Sequence, residues 1–365
     1  MLYYLPLEQY VERYTSMMSC KDGWAEDNFN RLGVKFTRID GDNLGKGINT
    51  GKVLDCFGRS YFAMSQMMKM VKLLRDGVVK DGDTVYVEDF FHPGIESLFY
   101  IRSLSGIKFK IGTFLHAQSV DNTDFCYALK DWMRPIEQGY AKGYDFIFVC
   151  SKILKSLCVE AGVGTEEKIH VVGLPYNSKR LLEQLGPNFL NVKKEDYVLF
   201  SSRFDDEKDP MFFLDLVEAC PDIKFKLVAP RKIITTNQQV MDRLMKLVKR
   251  EDTNLELVDT SKDKNVYYMT LAKAKVQFNC AHQDWVSWTL LEACAFKCNP
   301  LYPKWKDFPL ELNYDENYLY EKRNLDDAIK KLRVLMCKDY SSTLDAVVSK
   351  HDNSWKCYLK IMGVI

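Results

Sequence analysis

The chain has 365 residues, 47% apolar, 28% charged and 13% aromatic, with a formal net charge of +1. That composition is too apolar for general disorder and, at roughly 100 to 200 residues per domain, too long for one small core, so two domains with a cleft are expected. A balance so close to neutral does not demand a polyanionic partner, while leaving room for a local basic groove.

Eleven cysteines are scattered through strand-like and helix-like runs with no CxxC pair, a pattern of buried thiols rather than a disulfide framework. Cys294 and Cys298 share a helix face but lack the second pair that a zinc site needs. The opening "MLYYLPLEQYVERYT" brings Glu8, Glu12 and Arg13 too early for a signal peptide. No run reaches the roughly 18 apolar residues of a membrane helix, so a cytoplasmic protein without a membrane partner is predicted.

In chain order, a first strand "LYYLP" precedes a segment around "DGWAEDNFNRLG" that stops at Gly33, and "VKFTRID" follows as a strand. An amphipathic helix from about Val53 to Asp76 leads to "DTVYVED", an apolar run expected to be a buried parallel strand. Pro93 and Gly106 mark the ends of the next helix, and "FKIGTFLHA" is the strand after it. A helix from about Asp124, the strand "YDFIFVCS", the helix "KILKSLCVEAG" and the strand "KIHVVGLP" complete a first unit. After the polar stretch "NSKRLLEQLGPNFLNVKKED" the alternation restarts with "YVLFSS", "PMFFLDLVEAC", "KFKLVAP", a helix from about Asn237 to Lys249, "LELVD", "NVYYMTLAKA", "KVQFNCA" and "WTLLEACAFK". The boundary is expected near Gly186 to Lys194, giving domains over 1–188 and 189–342, with a helical end, 343–365, that packs back on the first. The fold class is α/β: two Rossmann-like, doubly wound domains facing a cleft. Neither first strand leads into GxGxxG, which disfavours a dehydrogenase, but the carboxyl ends of such sheets suit a nucleotide.

Chemistry concentrates in "NCAHQDWVSWTLLEA", where Asp284 and Glu292 stand eight positions apart. Ser287 is expected to cap the helix that begins near Trp288, placing Glu292 in its first turns and Asp284 in the facing loop. With Ser287 and Thr289 at that helix start, free N–H groups suit a phosphate and a carboxylate suits sugar hydroxyls. In "VLFSSRFDDEKDP", Arg203 and Lys208 follow the first strand of the second domain, suited to grip a diphosphate and stabilise it as a leaving group. Asp209 and Pro210 have the form of an N-cap and first helical residue. Taken alone, Arg203 and Lys208 also read as surface charges paired with Asp205, Asp206 and Glu207, and Glu292 as a carboxylate complementing the helix dipole.

In the first domain His116 ends a central strand, where it faces either the cleft or a satisfied core. Asp89 and His92 share that location. The loop "RYTSMMSCKDGWAED" offers Arg13, Thr15 and Trp24 as acceptor contacts, or is a solvated connection. Two "DGD" triplets, Asp40–Asp42 and Asp81–Asp83, read as turns, and no obligatory metal is expected.

Arg203, Lys208, Asp284 and Glu292, with "LLEACAFKCNPLYP" after them, resemble the donor half of the GT-B glycosyltransferases, above all the retaining branch with an acidic residue, seven others and then Glu. The resemblance implies that Arg203 and Lys208 hold the diphosphate of a nucleotide sugar, UDP-linked, and that Glu292 contacts the ribose. Asp284 and His116 would then act at the transferring sugar. Asp284 replaces the family's usual Glu, and Trp285 and Ser287 replace its usual glycines. The stretches "PLEQYVERYT", "DFFHPGIESL", "HAQSVDNTDF" and "NCAHQDWVSWTLLEA" resemble glycosyltransferases of tailed bacteriophages, some of which glycosylate hydroxymethylated pyrimidines in DNA. The implied partners are a nucleotide sugar and modified DNA, with no cofactor beyond the donor. A polysaccharide or small glycan is the alternative acceptor, and a non-catalytic nucleic-acid or sugar-binding module the alternative class.

Overall fold

Among the described residues, twelve short strands form two separate parallel sheets in a computed structural model of the chain. It describes residues 1–8, 15–44, 55–116, 119–189, 192–229, 235, 237–260 and 263–365, with the backbone alone for residues 15, 16, 125 and 229. The chain divides into one unit of Met1–Asn177 with Asp352–Ile365 and a second of Ser178–His351.

The first unit holds β1 (Leu2–Leu5), β2 (Phe36–Arg38), β3 (Thr84–Val87), β4 (Lys110–Phe114), β5 (Phe146–Val149) and β6 (Ile169–Val171) in the order β2-β1-β3-β4-β5-β6. β1 and β3 are buried along their whole length, as continuous apolar runs are when helices cover both faces of a parallel sheet. The helix Cys56–Arg75 returns the chain from β2 to β3, its first turn capped by the Asp55 carboxylate, which accepts from Phe57 N. Strand order reverses between β1 and β3, the point at whose carboxyl edge such sheets bind ligands.

The C-terminal helix Ser354–Ile361 belongs to this unit. Trp355 packs edge-on against Phe29, Tyr358 stacks on Phe148 at 4.7 Å, and Ser354 Oγ donates to Leu174 O at 2.7 Å. Gly112 on β4 leaves room for this helix, since a Cβ at that position would stand 2.7 Å from Met362 Sδ and the methionine would have to shift.

The second unit holds β7 (Glu195–Phe200), β8 (Lys224–Ala229), β9 (Leu255–Asp259), β10 (Ala274–Phe278), β11 (Asn299–Pro303) and β12 (Leu319–Tyr320), in the order β12-β11-β10-β7-β8-β9. Its reversal lies between β7 and β10.

Several elements differ from the expectation. The polar stretch after the first unit contains the helix Ser178–Leu185, so the division at Asn177 falls ahead of 186–194. β11, β12 and the helix Leu325–Met336 extend the second unit, the last with Asn324 Oδ1 accepting from Asp327 N and with Ala328, Leu332 and Leu335 buried. No helix among the described residues is long and apolar enough to cross a membrane.

Glu88, just after β3, is fully buried, with the Tyr4 and Tyr86 hydroxyls as its polar neighbours. Burial pushes its carboxyl up to about 8. In the unfolded chain that group loses its proton near pH 4.5, so the folded state holds one more proton through the interval up to about 8 and loses stability as pH rises across it. Glu88→Gln is expected to raise Tm clearly near pH 8 and little near pH 5, and an equal gain at both values would show that Glu88 is ionised in the folded chain.

Candidate functional site

β7 and β10 lie side by side at the reversal of the second sheet, and both emit their loops at its carboxyl edge. The β7 loop carries Arg203 and Lys208, and the β10 loop carries His282, Asp284 and Trp285. Backbone contacts join them: Glu207 O accepts from His282 N at 2.8 Å, and Cys280 Sγ lies 3.2 Å from Lys208 O. Lys208 is only 7% exposed. Its Nζ donates to Gln283 O at 2.6 Å and lies 3.0 Å from Asp284 Oδ1. Those contacts use two of its three N–H donors. Burial pushes the Asp284 carboxyl up, against the opposing pull of the Lys208 ammonium.

Asp209 departs from the expected N-cap. It occupies the cap position of the helix Pro210–Ala219 at φ +50, a left-handed conformation uncommon for a non-glycine residue, and caps nothing with its side chain. Its carboxylate instead accepts from Arg323 Nε at 2.8 Å and lies 3.0 Å from His282 Nε2. Burial disfavours the Asp209 charge, but His282 and Arg323 outweigh it and hold the carboxyl below the usual aspartate range.

Glu292, on the helix Trp288–Ala295, is 8% exposed and accepts a hydrogen bond from Tyr267 on the helix Lys264–Lys273. Burial raises its carboxyl, and the Tyr267 hydroxyl partly offsets that. Asp284 and Glu292 are thus held by separate partners on the one edge. Ser287 stands at the N-cap of this helix but makes no side-chain cap, a second correction: its Oγ bonds Thr289 Oγ1 at 2.8 Å, and Thr289 Oγ1 bonds Tyr302 OH at 3.0 Å. Arg203, with a side chain 52% exposed, reaches Asp205 and Glu207, the pairing that the surface-charge reading anticipated.

In the first unit, Asp89 lies 2.7 Å from Arg59 Nη2, and Arg59 Nη1 lies 2.8 Å from Glu8, so a buried guanidinium ties together the residues that follow β1 and β3. His116 Nε2 donates to Glu88 O at 2.9 Å, and burial lowers its imidazole to about 3, which keeps it neutral. His92 is a correction: at 2% exposure, with Nε2 3.0 Å from Gln66 Oε1, it belongs to the interior, because Gln66 also donates to Pro6 O and Ile39 O and fixes three segments there. Trp24 is another. It starts the helix Trp24–Arg31, is 1% exposed and packs edge-on against Tyr176, because an indole at the inner face of that helix fills the core rather than a loop surface. Thr15 begins the helix Thr15–Met18, its side chain outside the described residues, and Arg13 lies outside them altogether. Sequence reasoning missed Arg59, Tyr267, His282 and Arg323. No group of His, Cys, Asp or Glu among the described residues has a metal-holding arrangement.

No protein-family model matches the sequence, and no curated protein matches it either. Solved structures do. A glycosyltransferase from Rickettsia africae is 12% identical over 99% of this chain and 97% of its own, with a TM-score of 0.66. A UDP-forming α,α-trehalose-phosphate synthase from Burkholderia vietnamiensis is 12% identical over 100% of both chains, with a TM-score of 0.64. A trehalose-6-phosphate structure from E. coli bound with UDP-2-fluoro glucose is 13% identical over 100% of this chain and 99% of its own, also with a TM-score of 0.64. The likeness is one of fold, and the fold is the GT-B type expected from the sequence: two α/β units, each on a six-stranded parallel sheet.

Removing the cation from the Lys208–Asp284 pair leaves a partly buried carboxylate without its closest counter-charge. Lys208→Met is expected to cost about 1–3 kcal/mol in denaturant unfolding, with part of the loss recovered when Asp284→Asn is added. Strictly additive effects of the two substitutions would show that the pair is not energetically coupled.

Proposed function

We propose that the chain is a glycosyltransferase that moves a sugar from a nucleoside-diphosphate donor, UDP-linked, to a hydroxyl acceptor. The observation that supports this reading is the pairing of the buried Lys208 with Asp284 across the loops that follow β7 and β10, with Glu292 on the helix after that second loop. In it the second unit is the donor side. Arg203 and the remaining N–H of Lys208 meet the diphosphate, Glu292 accepts from ribose hydroxyls, and Ser287 and Thr289 stand at the adjoining helix start. The C1–O bond to the diphosphate breaks while C1 bonds to the acceptor oxygen, and in the retaining course the departing phosphate oxygen takes the acceptor's proton. Cations fixed beforehand lower that barrier because they need no reorganisation as charge develops on the bridging oxygen. Asp284, oriented by Lys208, serves the sugar rather than the nucleotide.

The first unit is the acceptor side in this reading. His116, neutral and anchored to the Glu88 carbonyl, is suited to hydrogen bonding rather than to carrying charge. Asp89 acts there through Arg59 as a positioning residue. The acceptor proposed is a 5-hydroxymethylpyrimidine base in DNA, supported by the likeness of four stretches to phage enzymes. A base inside a duplex would have to be extruded to reach the donor. A phosphosugar acceptor is the second reading, favoured by the trehalose-phosphate synthase among the similar folds.

The test is a panel of nucleotide sugars offered with DNA bearing hydroxymethylcytosine or plain cytosine, and in parallel with sugar phosphates, followed by mass analysis of the products. A one-sugar gain confined to the hydroxymethylated base is expected, and no release of nucleoside diphosphate under any condition would overturn the transferase reading. Glu292→Gln and Arg203→Ala should each lower turnover by about 10²-fold or more while Tm holds, by analogy with loss of one charge-stabilising group.

A further inference from the structure

We propose that the helix Cys56–Arg75 docks a second copy of this chain, packing antiparallel against the same helix of that copy about a two-fold axis.

That helix is apolar on two sides. Phe62, Ala63, Met67, Met70 and Leu74 are buried on one side, within the first unit. On the opposite side Phe57, Tyr61, Met64, Met68 and Val71 are exposed, Phe57 by 75% and Met68 by 73%. Their spacing of four, three, four and three keeps all five within roughly 80° of the helix circumference, at 3.6 residues per turn. A helix that is apolar all round is ordinarily buried all round, whereas here only one of the two faces is covered. Single exposed apolar residues are ordinary, but a line of five running the length of a helix marks an interaction surface. The alternation of four and three is the seam that two helices bury against each other, knob into hole.

The stripe is nearly its own complement, which is what an isologous contact requires. With the axis between Met64 and Met68, Met64 of one copy faces Met68 of the other, Tyr61 faces Val71 and Phe57 faces Arg75, the residue that continues the stripe. Methionine adapts to such a seam, and Met, Arg and aromatic residues are enriched at interface centres. Charge selects the direction. Antiparallel packing lays the Arg75 guanidinium over a Phe57 ring and opposes the two helix dipoles, whereas parallel packing sets Arg75 against Arg75. A net charge of +1 gives two copies little overall repulsion. Of the three cations beside the stripe, Lys69 and Arg75 are already paired, with Asp42 at 2.7 Å and Asp76 at 3.0 Å, which weakens any attraction to an anionic lipid surface.

A helix of this length is about 30 Å long and 10 Å wide, so alone it covers less than the ~800 Å² per partner of a standard interface. The helix Glu96–Ser105, which packs against it, carries exposed Tyr100 and Leu104 of its own. A face of that size makes a reversible dimer rather than an obligate one.

The experiment measures the mass of the full chain in solution over a broad concentration series, by sedimentation and light scattering, for wild type, Met64→Lys, Met68→Asp and an equal mixture of the two variants. Wild type is expected to reach twice the chain mass at the upper concentrations, and each variant alone to dissociate tenfold or more readily while Tm holds, since both positions face solvent in the single chain. In the antiparallel register a lysine at 64 meets an aspartate at 68 of the other copy, so the mixture is expected to associate more tightly than either variant by itself. A wild type that stays at the single-chain mass throughout overturns the proposal, as do two variants that dimerise as wild type does. A mixture no tighter than its components overturns the antiparallel packing. A single-chain wild type that instead floats with phosphatidylglycerol vesicles gives the face to a lipid surface and overturns the second copy as its occupant. Should either variant unfold, Phe57→Ala decides, with a severalfold weakening of the dimer expected and none overturning it.

Discussion

A lysine ammonium at 7% exposure has to find a counter-charge inside the protein, and in the second unit that requirement organises the carboxyl edge of the sheet. Lys208 meets it with Asp284 and the Gln283 carbonyl, both on the loop of the neighbouring strand, so two loops distant in sequence are held as one surface. The next residue, Asp209, sits in a left-handed conformation that removes its carboxylate from helix capping and turns it to His282 and Arg323. Through His282 O the link continues to Trp305. Loops after β7, β10, β11 and β12 are thus joined by charge and hydrogen bonding.

The first unit uses the same device with other residues. Arg59 is the buried cation, and its carboxylates, Glu8 and Asp89, follow β1 and β3, the two strands between which the order reverses. The cation here comes from the helix Cys56–Arg75 rather than from a strand loop. In both units a parallel sheet brings two loop starts together at the reversal, and the geometry is completed by a charge too deeply placed to stand alone. Such a site is rigid because breaking any member leaves another uncompensated, and rigidity is what a group positioned for charge stabilisation needs.

The architecture was legible in the sequence because parallel strands covered on both faces appear as unbroken apolar runs, as "TVYV" and "YVLF" do, and because caps and glycines punctuate the helices between them. The charged loops after β7 and β10 were legible because their residues sit directly after such runs. The pairings within them were not: nothing local to "FDDEKD" says that Lys208 turns to Asp284, 76 positions on, while Arg203 stays with its neighbours. Trp24 and His92 misled for the same reason, since an aromatic or imidazole group in a polar stretch looks accessible until the rest of the sheet closes over it. The helix Leu325–Met336 was readable, with its Asn cap, acidic first turn and apolar spacing of four and three, and Arg333 in its last turn. Strand β11 was not, because "NPLYP" carries two prolines that ordinarily argue against a strand.

Depth separates the cations of the second unit into two kinds. Lys208 is buried and already paired, so its position is fixed before any ligand arrives and its field acts in a medium of low effective dielectric, where a charge developing nearby is felt strongly. Lys306, Lys322 and Arg323 are partly solvated, seated on tryptophan rings or on one shared carboxylate. Water and salt screen their field, of which little survives beyond about 10 Å at 0.1 M salt. The strand order places the two kinds side by side, the paired lysine at β7 and the rim cations at β11 and β12 beyond β10. On that edge one cation is fixed by burial and pairing while the others stay hydrated, so salt acts strongly on the second kind and weakly on the first.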